Sequence, residues 1–266
     1  MSGRLENEAR QLIGKRWKKG TGTNIKHLSN IRSIAKFMET QSLRKIGDMK
    51  TKHVLLYFQH IKERGLAEST MQNHATAMRF LAEAIGKRNI CPRTNEELDI
   101  VRHGRYAPKT ADMEQQDTLR EKLYAKDERL GIAHDLRESF GLRAEESLKP
   151  KIVNINEEER LRVTGKGGRV REIRIDTPEK AAAVQHLKEL LEHRGISHLM
   201  QSNKTLKQVY AYQRNAIHRA GGTKANKCNM HSLRHNRVQK MRANGIPIEG
   251  RVQETGHVRH DSDRHY

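Results

Sequence analysis

Along the first ninety residues, apolar side chains return every three or four positions. The stretches RLENEARQLIGKR (4–16), IKHLSNIRSIAKFMET (25–40), KHVLLYFQHIKERG (52–65) and STMQNHATAMRFLAEAIGK (69–87) each show this spacing. It lines one face of a helix with apolar groups, so four short amphipathic helices sharing one core are predicted. Ser69 stands where an N-cap is expected, and Gly65 and Gly86 where helices stop.

Residues 96–111 break the pattern with a glycine, a proline and mixed charge, and read as a linker. Beyond them the periodicity changes twice. Helical spacing covers 115–126 and 128–141. Residues 149–175 then alternate apolar and polar positions around Gly165, Gly167 and Gly168, the pattern of short strands joined by a tight turn. Helical spacing returns at 179–195, 205–222 and 230–245. The expected fold is mainly α with a small antiparallel β-sheet: a helical domain over 1–95, a linker over 96–111 and a second domain over 112–266. No internal repeat or low-complexity tract is evident.

Charge narrows the class of partner. The chain has 52 Lys and Arg against 32 Asp and Glu, a net charge of +20. So large an excess calls for a polyanion, and nucleic acid comes first because every neutralised phosphate releases counterions. An anionic membrane surface is less suited, since no basic helix carries a Trp- or Phe-rich face. More than half of the excess lies in residues 1–95, with 19 basic against 7 acidic side chains, so the helical domain is expected to grip DNA. Lys62, Arg64, Arg79 and Lys87, with Arg102 and Arg105 of the linker, are candidate DNA contacts. Ser29, Asn30, Arg32, Asn73, His74 and Arg79 are candidates for reading bases. No apolar run is long enough for a membrane span and the first twenty residues lack a signal peptide's apolar stretch. Cys91 and Cys228 form no CxxC pair. A cytoplasmic, nucleoid-associated protein without disulfides is expected.

Four stretches carry candidate chemistry. In SFGLRAEESLKP, Arg143 sits near a helix start with Glu146 three residues on, so its guanidinium can fork onto a phosphate while a carboxylate holds it. An ordinary Arg–Glu helix pair has the same spacing. In VTGKGGRVREI, Lys166 tips a Gly-Lys-Gly turn; the Walker A spacing is absent, and a plain basic hairpin is the alternative. In MHSLRHNRV, His231 and Arg234 are three apart and are expected on one helical face. His231 and His235 lack both a third ligand and the Glu of His-Glu-x-x-His, so no metal is expected. Finally, TGHVRHDSDRHY places His257 nine residues before Tyr266.

The order of these pieces, GLRAEE, VTGKGGRVREI, HSLRH and TGH…Y, resembles the tyrosine recombinase (phage integrase) family across essentially the whole chain, with HRAGG…MHSLRH similar to integrases of integrative and conjugative mobile elements. The resemblance implies an N-terminal helical core-binding domain and a C-terminal catalytic domain. It implies a site-specific DNA recombinase that breaks and rejoins DNA through a 3′-phosphotyrosyl intermediate, without metal, ATP or other cofactor. Arg143 and Arg234 suit the non-bridging oxygens, Lys166 the leaving 5′-oxygen, His231 a base or proton-sharing role, His257 a hydrogen bond to the phosphate, and Tyr266 the nucleophile. Double-stranded DNA, a homotetramer on paired sites and an accessory directionality or DNA-bending factor are the implied partners. A type IB topoisomerase-like enzyme and an inactive DNA-binding regulator on the same scaffold are the alternatives. Thr255 stands where the family usually has an apolar residue. Relatives commonly continue past the tyrosine with a helix that docks on a neighbouring protomer; this sequence ends at Tyr266.

Overall fold

The computed structural model describes residues 3–14, 22–101, 110, 112–165, 167–223 and 225–256, with 22–26 in backbone only. The chain divides into two compact units, residues 1–104 and 105–266.

Among the described residues, four α-helices build the first unit: α1 (Arg4–Gly14), α2 (Gly22–Thr40), α3 (Thr51–Glu63) and α4 (Glu68–Ala84). Their apolar stripes meet as the spacing requires. Leu5, Ala9 and Ile13 of α1 pack with Ile31, Ile34, Ala35 and Met38 of α2, with Val54, Tyr57, Phe58 and Ile61 of α3, and with Met71, Ala75, Met78 and Leu81 of α4. Gly65 and Gly86 follow their helices with positive φ. Ser69 is not the N-cap: Ala67 holds that position, without a side-chain cap, and Ser69 lies inside the first turn. Residues 96–100, expected to open the linker, belong to this core, because a 3-10 turn at Glu96–Leu98 brings Leu98 and Ile100 into it.

The second unit runs α5 (Met113–Lys126), α6 (Glu128–Phe140), β1 (Lys151–Ile155), β2 (Glu158–Thr164), β3 (Val170–Arg174), α7 (Pro178–Arg194), α8 (Leu206–Arg219), α9 (Ser232–Ala243) and α10 (Ile248–Thr255). Helix α6 lies against α5, α7 and α9. The strands form an antiparallel sheet in the order β1-β2-β3, with Leu161 facing Ile152 on one side and Ile173 on the other. A two-residue turn at Asn156 and Glu157, both at positive φ, joins β1 to β2. Leu161, Val163 and Ile173 cover Leu136 and Phe140 of α6 and Leu187 of α7. Helix α10 was not evident from the pattern; among its residues only Thr255 is buried, so it has almost no apolar stripe to read. No described helix is long and apolar enough to cross a membrane.

Candidate active site

Each of the four chemical stretches begins or ends a secondary-structure element, so packing brings their backbones together. Helix α6 ends at Gly141 in the left-handed region, and the chain turns sharply into Arg143 and a 3-10 turn at Glu146–Leu148. Glu146 reaches back: Oε2 accepts from the Arg143 N–H at 2.8 Å, and Oε1 from its Nη1 at 2.8 Å. The expected Arg143–Glu146 partnership is thus present, in a turn rather than along a helix.

A second arginine shares that carboxylate. Arg171 of β3 donates Nη1 to Glu146 Oε1 at 3.1 Å and Nη2 to Oε2 at 2.8 Å. Four donors therefore converge on one buried carboxylate. Burial alone would raise its pKa; the hydrogen bonds and charge of Arg171, with the bonds from Arg143, outweigh it and bring Glu146 down to about 2. Glu146 is an anion at neutral pH and holds both guanidinium groups in place.

The third stretch enters through Asn229, whose side-chain oxygen takes the His231 N–H at 2.9 Å, while the Ser232 hydroxyl takes the Asn229 N–H at 3.2 Å. Helix α9 starts at Ser232, so His231 is its N-cap and is exposed. It does not share a helical face with Arg234 as the spacing suggested. Its ring meets that of His235 edge-on, with centroids 5.3 Å apart. Arg234 is wholly buried; Nη1 donates to the Gly141 carbonyl at 2.7 Å and Nη2 to the Thr255 carbonyl at 2.5 Å.

A hydrogen-bonded circuit results. It passes from Arg143 through Glu146 to Arg171, whose Nε holds the Glu254 carbonyl at 3.0 Å, and from Thr255 through Arg234 back to Gly141. Gly256 closes α10 at φ +66° and lies against Arg171, where a Cβ would stand 2.7 Å from the guanidinium. No other residue type fits both conditions. Gly165, at the foot of the β2–β3 turn, lies beside Glu146 in the same way, at 3.0 Å. The segments leading to 143, 166, 234 and 257 thus converge on one carboxylate and its neighbours. Lys166, His257 and Tyr266 themselves lie outside the described residues.

Sequence reasoning missed Arg171, Glu254 and the lysine that holds Glu254, Lys180. A signal for Arg171 was present, an arginine on the alternating strand that follows the turn. For Lys180 there was none, since a lysine in the first turn of an amphipathic helix ordinarily faces water.

The expected DNA contacts of the first unit divide into two kinds. Arg79 is committed to the 92–95 turn, donating to the carbonyls of Pro92 and Thr94 and to the Asn95 side chain at 2.6–3.0 Å. Lys87 bonds the Gly47 carbonyl at 2.5 Å, and Lys62 pairs with Asp99. His74 is buried with Nδ1 2.8 Å from the Tyr57 hydroxyl, its pKa lowered by burial and then by Arg64, so it is a neutral core residue and offers no base-reading edge. Arg32 pairs with buried Glu6, and Asn73 bonds the Ser69 carbonyl. Ser29 and Arg64 are exposed, and Asn30 is half-buried. Arg102 and Arg105 lie outside the described residues. Among the described residues no group of three His, Cys, Asp or Glu side chains could hold a metal ion.

The integrase family model matches residues 101–240. None of the curated proteins matches the chain. Among solved structures, a XerH site-specific recombinase bound to difH substrate, a pre-cleavage complex, is similar over 98% of this chain and 80% of that one, at 18% identity and a TM-score of 0.68. A lambda integrase tetramer bound to a Holliday junction is similar over 96% and 76%, at 16% identity and 0.67. The Tn1549 transposon integrase in complex with transposon right end DNA is similar over 97% and 93%, at 14% identity and 0.57. At these identities the likeness is one of fold.

Proposed function

The chain belongs to the integrase family, whose members are tyrosine-type site-specific DNA recombinases, and on that premise we propose that it cleaves DNA with Tyr266, assisted by Arg143, Lys166, His231, Arg234 and His257. The Tyr266 hydroxyl attacks the scissile phosphorus and loses its proton to His231, since a phenol with an ordinary pKa near ~10 needs a base. The bond to the 5′-oxygen breaks, and that oxygen leaves with a proton from Lys166. A 3′-phosphotyrosyl link and a free 5′-hydroxyl result. Attack by the 5′-hydroxyl of a partner strand runs the step backwards and completes exchange without ATP. Arg143 and Arg234 stabilise charge on the non-bridging oxygens and His257 donates a hydrogen bond to the phosphate; a preorganised donor of this kind is worth about 10²–10³ in rate.

The observation that carries this reading is the circuit from Gly141 and Arg143 through Glu146 and Arg171 to Thr255 and Arg234. It supports a single site built from stretches more than a hundred residues apart. The working form in this reading is a homotetramer on paired double-stranded sites, with an accessory directionality or DNA-bending factor setting direction; the similar lambda integrase is a tetramer bound to a Holliday junction. The test is a suicide DNA substrate, drawn from a pool of element-end fragments and nicked beside the cleavage point, incubated in EDTA. A covalent protein–DNA adduct is expected with the wild type and none with Tyr266→Phe. An adduct that survives Tyr266→Phe, or a wild type that binds DNA and makes none, refutes the assignment.

A further inference from the structure

The last turn of α10 is held by four cations from three elements. Glu254 Oε1 accepts from Arg237 Nε at 2.7 Å and Oε2 from Lys180 Nζ at 3.2 Å. Its carbonyl accepts from Arg171, and the next carbonyl, of Thr255, from Arg234. Lys180 is wholly buried on α7; its ammonium also reaches Asp176 at 2.8 Å and stands 5.5 Å from the Phe140 ring centroid. The Arg237 and Glu254 side chains are only 10% and 16% exposed.

Buried ion pairs repay their desolvation only through good geometry, so the cluster is weak evidence for stability as such. What the charged cluster adds is direction. Lys180 and Arg237 each take a different oxygen of one carboxylate, which orients Glu254 and ties α10 to α7 and α9. The Thr255 hydroxyl bonds back to the Arg251 carbonyl at 2.6 Å, so its side chain is tied to the same turn. One residue later, Gly256 redirects the chain toward position 257.

We propose that Glu254 is a positioning residue for cleavage: clamped by Lys180 and Arg237, it fixes the turn from which His257 is delivered to the scissile phosphate. The inference rests on the roles given above to His257 and Tyr266. Glu254 touches no substrate and acts through His257. Its removal therefore lowers the rate of the chemical step and leaves DNA affinity alone, and it has no further effect once His257 is gone.

The experiment measures single-turnover adduct formation at saturating nicked DNA, and DNA affinity by fluorescence anisotropy, on the full chain. It compares wild type, Glu254→Ala, His257→Ala, the Glu254→Ala/His257→Ala double variant and Tyr266→Phe. A displacement near 1 Å at the reacting centre costs up to about 10²-fold, so Glu254→Ala is expected to slow adduct formation about tenfold to a hundredfold. Affinity stays within about twofold, and the double variant is no slower than His257→Ala alone. If Glu254→Ala does not fold, Glu254→Gln, which keeps the shape and loses the charge, is expected to follow the same pattern with a smaller loss. Losses that multiply in the double variant, an unchanged rate, or a loss confined to affinity overturn the inference while the adduct itself stands. A wild type that makes no Tyr266-dependent adduct removes the functional reading, and this inference with it.

Discussion

Replacing Glu146 by glutamine removes the charge on which Arg143 and Arg171 converge while keeping the side chain's shape. The carboxyl is brought from its ordinary 4.5 to about 2, and at about 1.36 kcal/mol per pH unit that corresponds to roughly 3 kcal/mol of stabilisation at neutral pH. The side chain is 2% exposed, so solvent screening takes little of this away. A second route gives a similar figure, since leaving buried charges without their partner costs about 3–5 kcal/mol. The sign follows from titration. The unfolded carboxyl protonates near 4.5 and the folded one near 2, so the contribution is complete above 4.5 and is lost as pH falls towards 2. Glutamine does not titrate. The stability gap between wild type and Glu146→Gln is therefore expected to be roughly 3 kcal/mol at pH 7 and to shrink to roughly 2 kcal/mol at pH 3.5. Guanidinium unfolding followed by far-ultraviolet circular dichroism measures it. A gap below about 1 kcal/mol at pH 7, or one that stays flat down to pH 3.5, refutes the reasoning.

Arg234→Lys keeps the charge but cannot span the carbonyls of Gly141 and Thr255 together. Adduct formation is expected to fall about 10²-fold, and a rate within threefold of wild type, about 0.7 kcal/mol, would contradict the circuit. In the first unit, Arg79→Met is expected to destabilise by about 1–3 kcal/mol through its lost bonds to the 92–95 turn and to leave the salt dependence of DNA binding unchanged. Exposed Arg64→Ala is expected to lower the slope of log affinity against log salt by about one and to leave stability within about 0.5 kcal/mol; salt titrations and thermal melts of the two variants would show a reversed pattern if the assignment were wrong.

The helices were legible because their apolar stripes are the core: the Leu5, Ala9, Ile13 spacing that predicts α1 is the face it buries. The β2–β3 turn was legible from its glycines, Gly167 and Gly168 both taking positive φ. Helix α10 was not, because electrostatics hold it rather than an apolar face. The same holds inside the site. Arg143 and Glu146 could be paired from local spacing, whereas Arg171 is 25 residues from Glu146 and Arg234 is 93 from Gly141. Periodicity carries no information about contacts that distant. Among the basic residues of the first unit, sequence shows charge but not commitment: Arg79 and Lys87 look like surface cations, and their backbone bonds appear only once the loops at 92–95 and 47–49 fold beside them.

The circuit also has a temporal side. Arg234 needs the carbonyl of Thr255, and Arg171 that of Glu254, so the ring cannot close on a ribosome until the chain has been made and released past residue 256. By then every other element described in the second unit has been synthesised. A nascent or clipped polypeptide can already carry Arg143 and the charge that draws it to DNA, yet it has no assembled site. The circuit is therefore completed only by the last of the described residues to emerge.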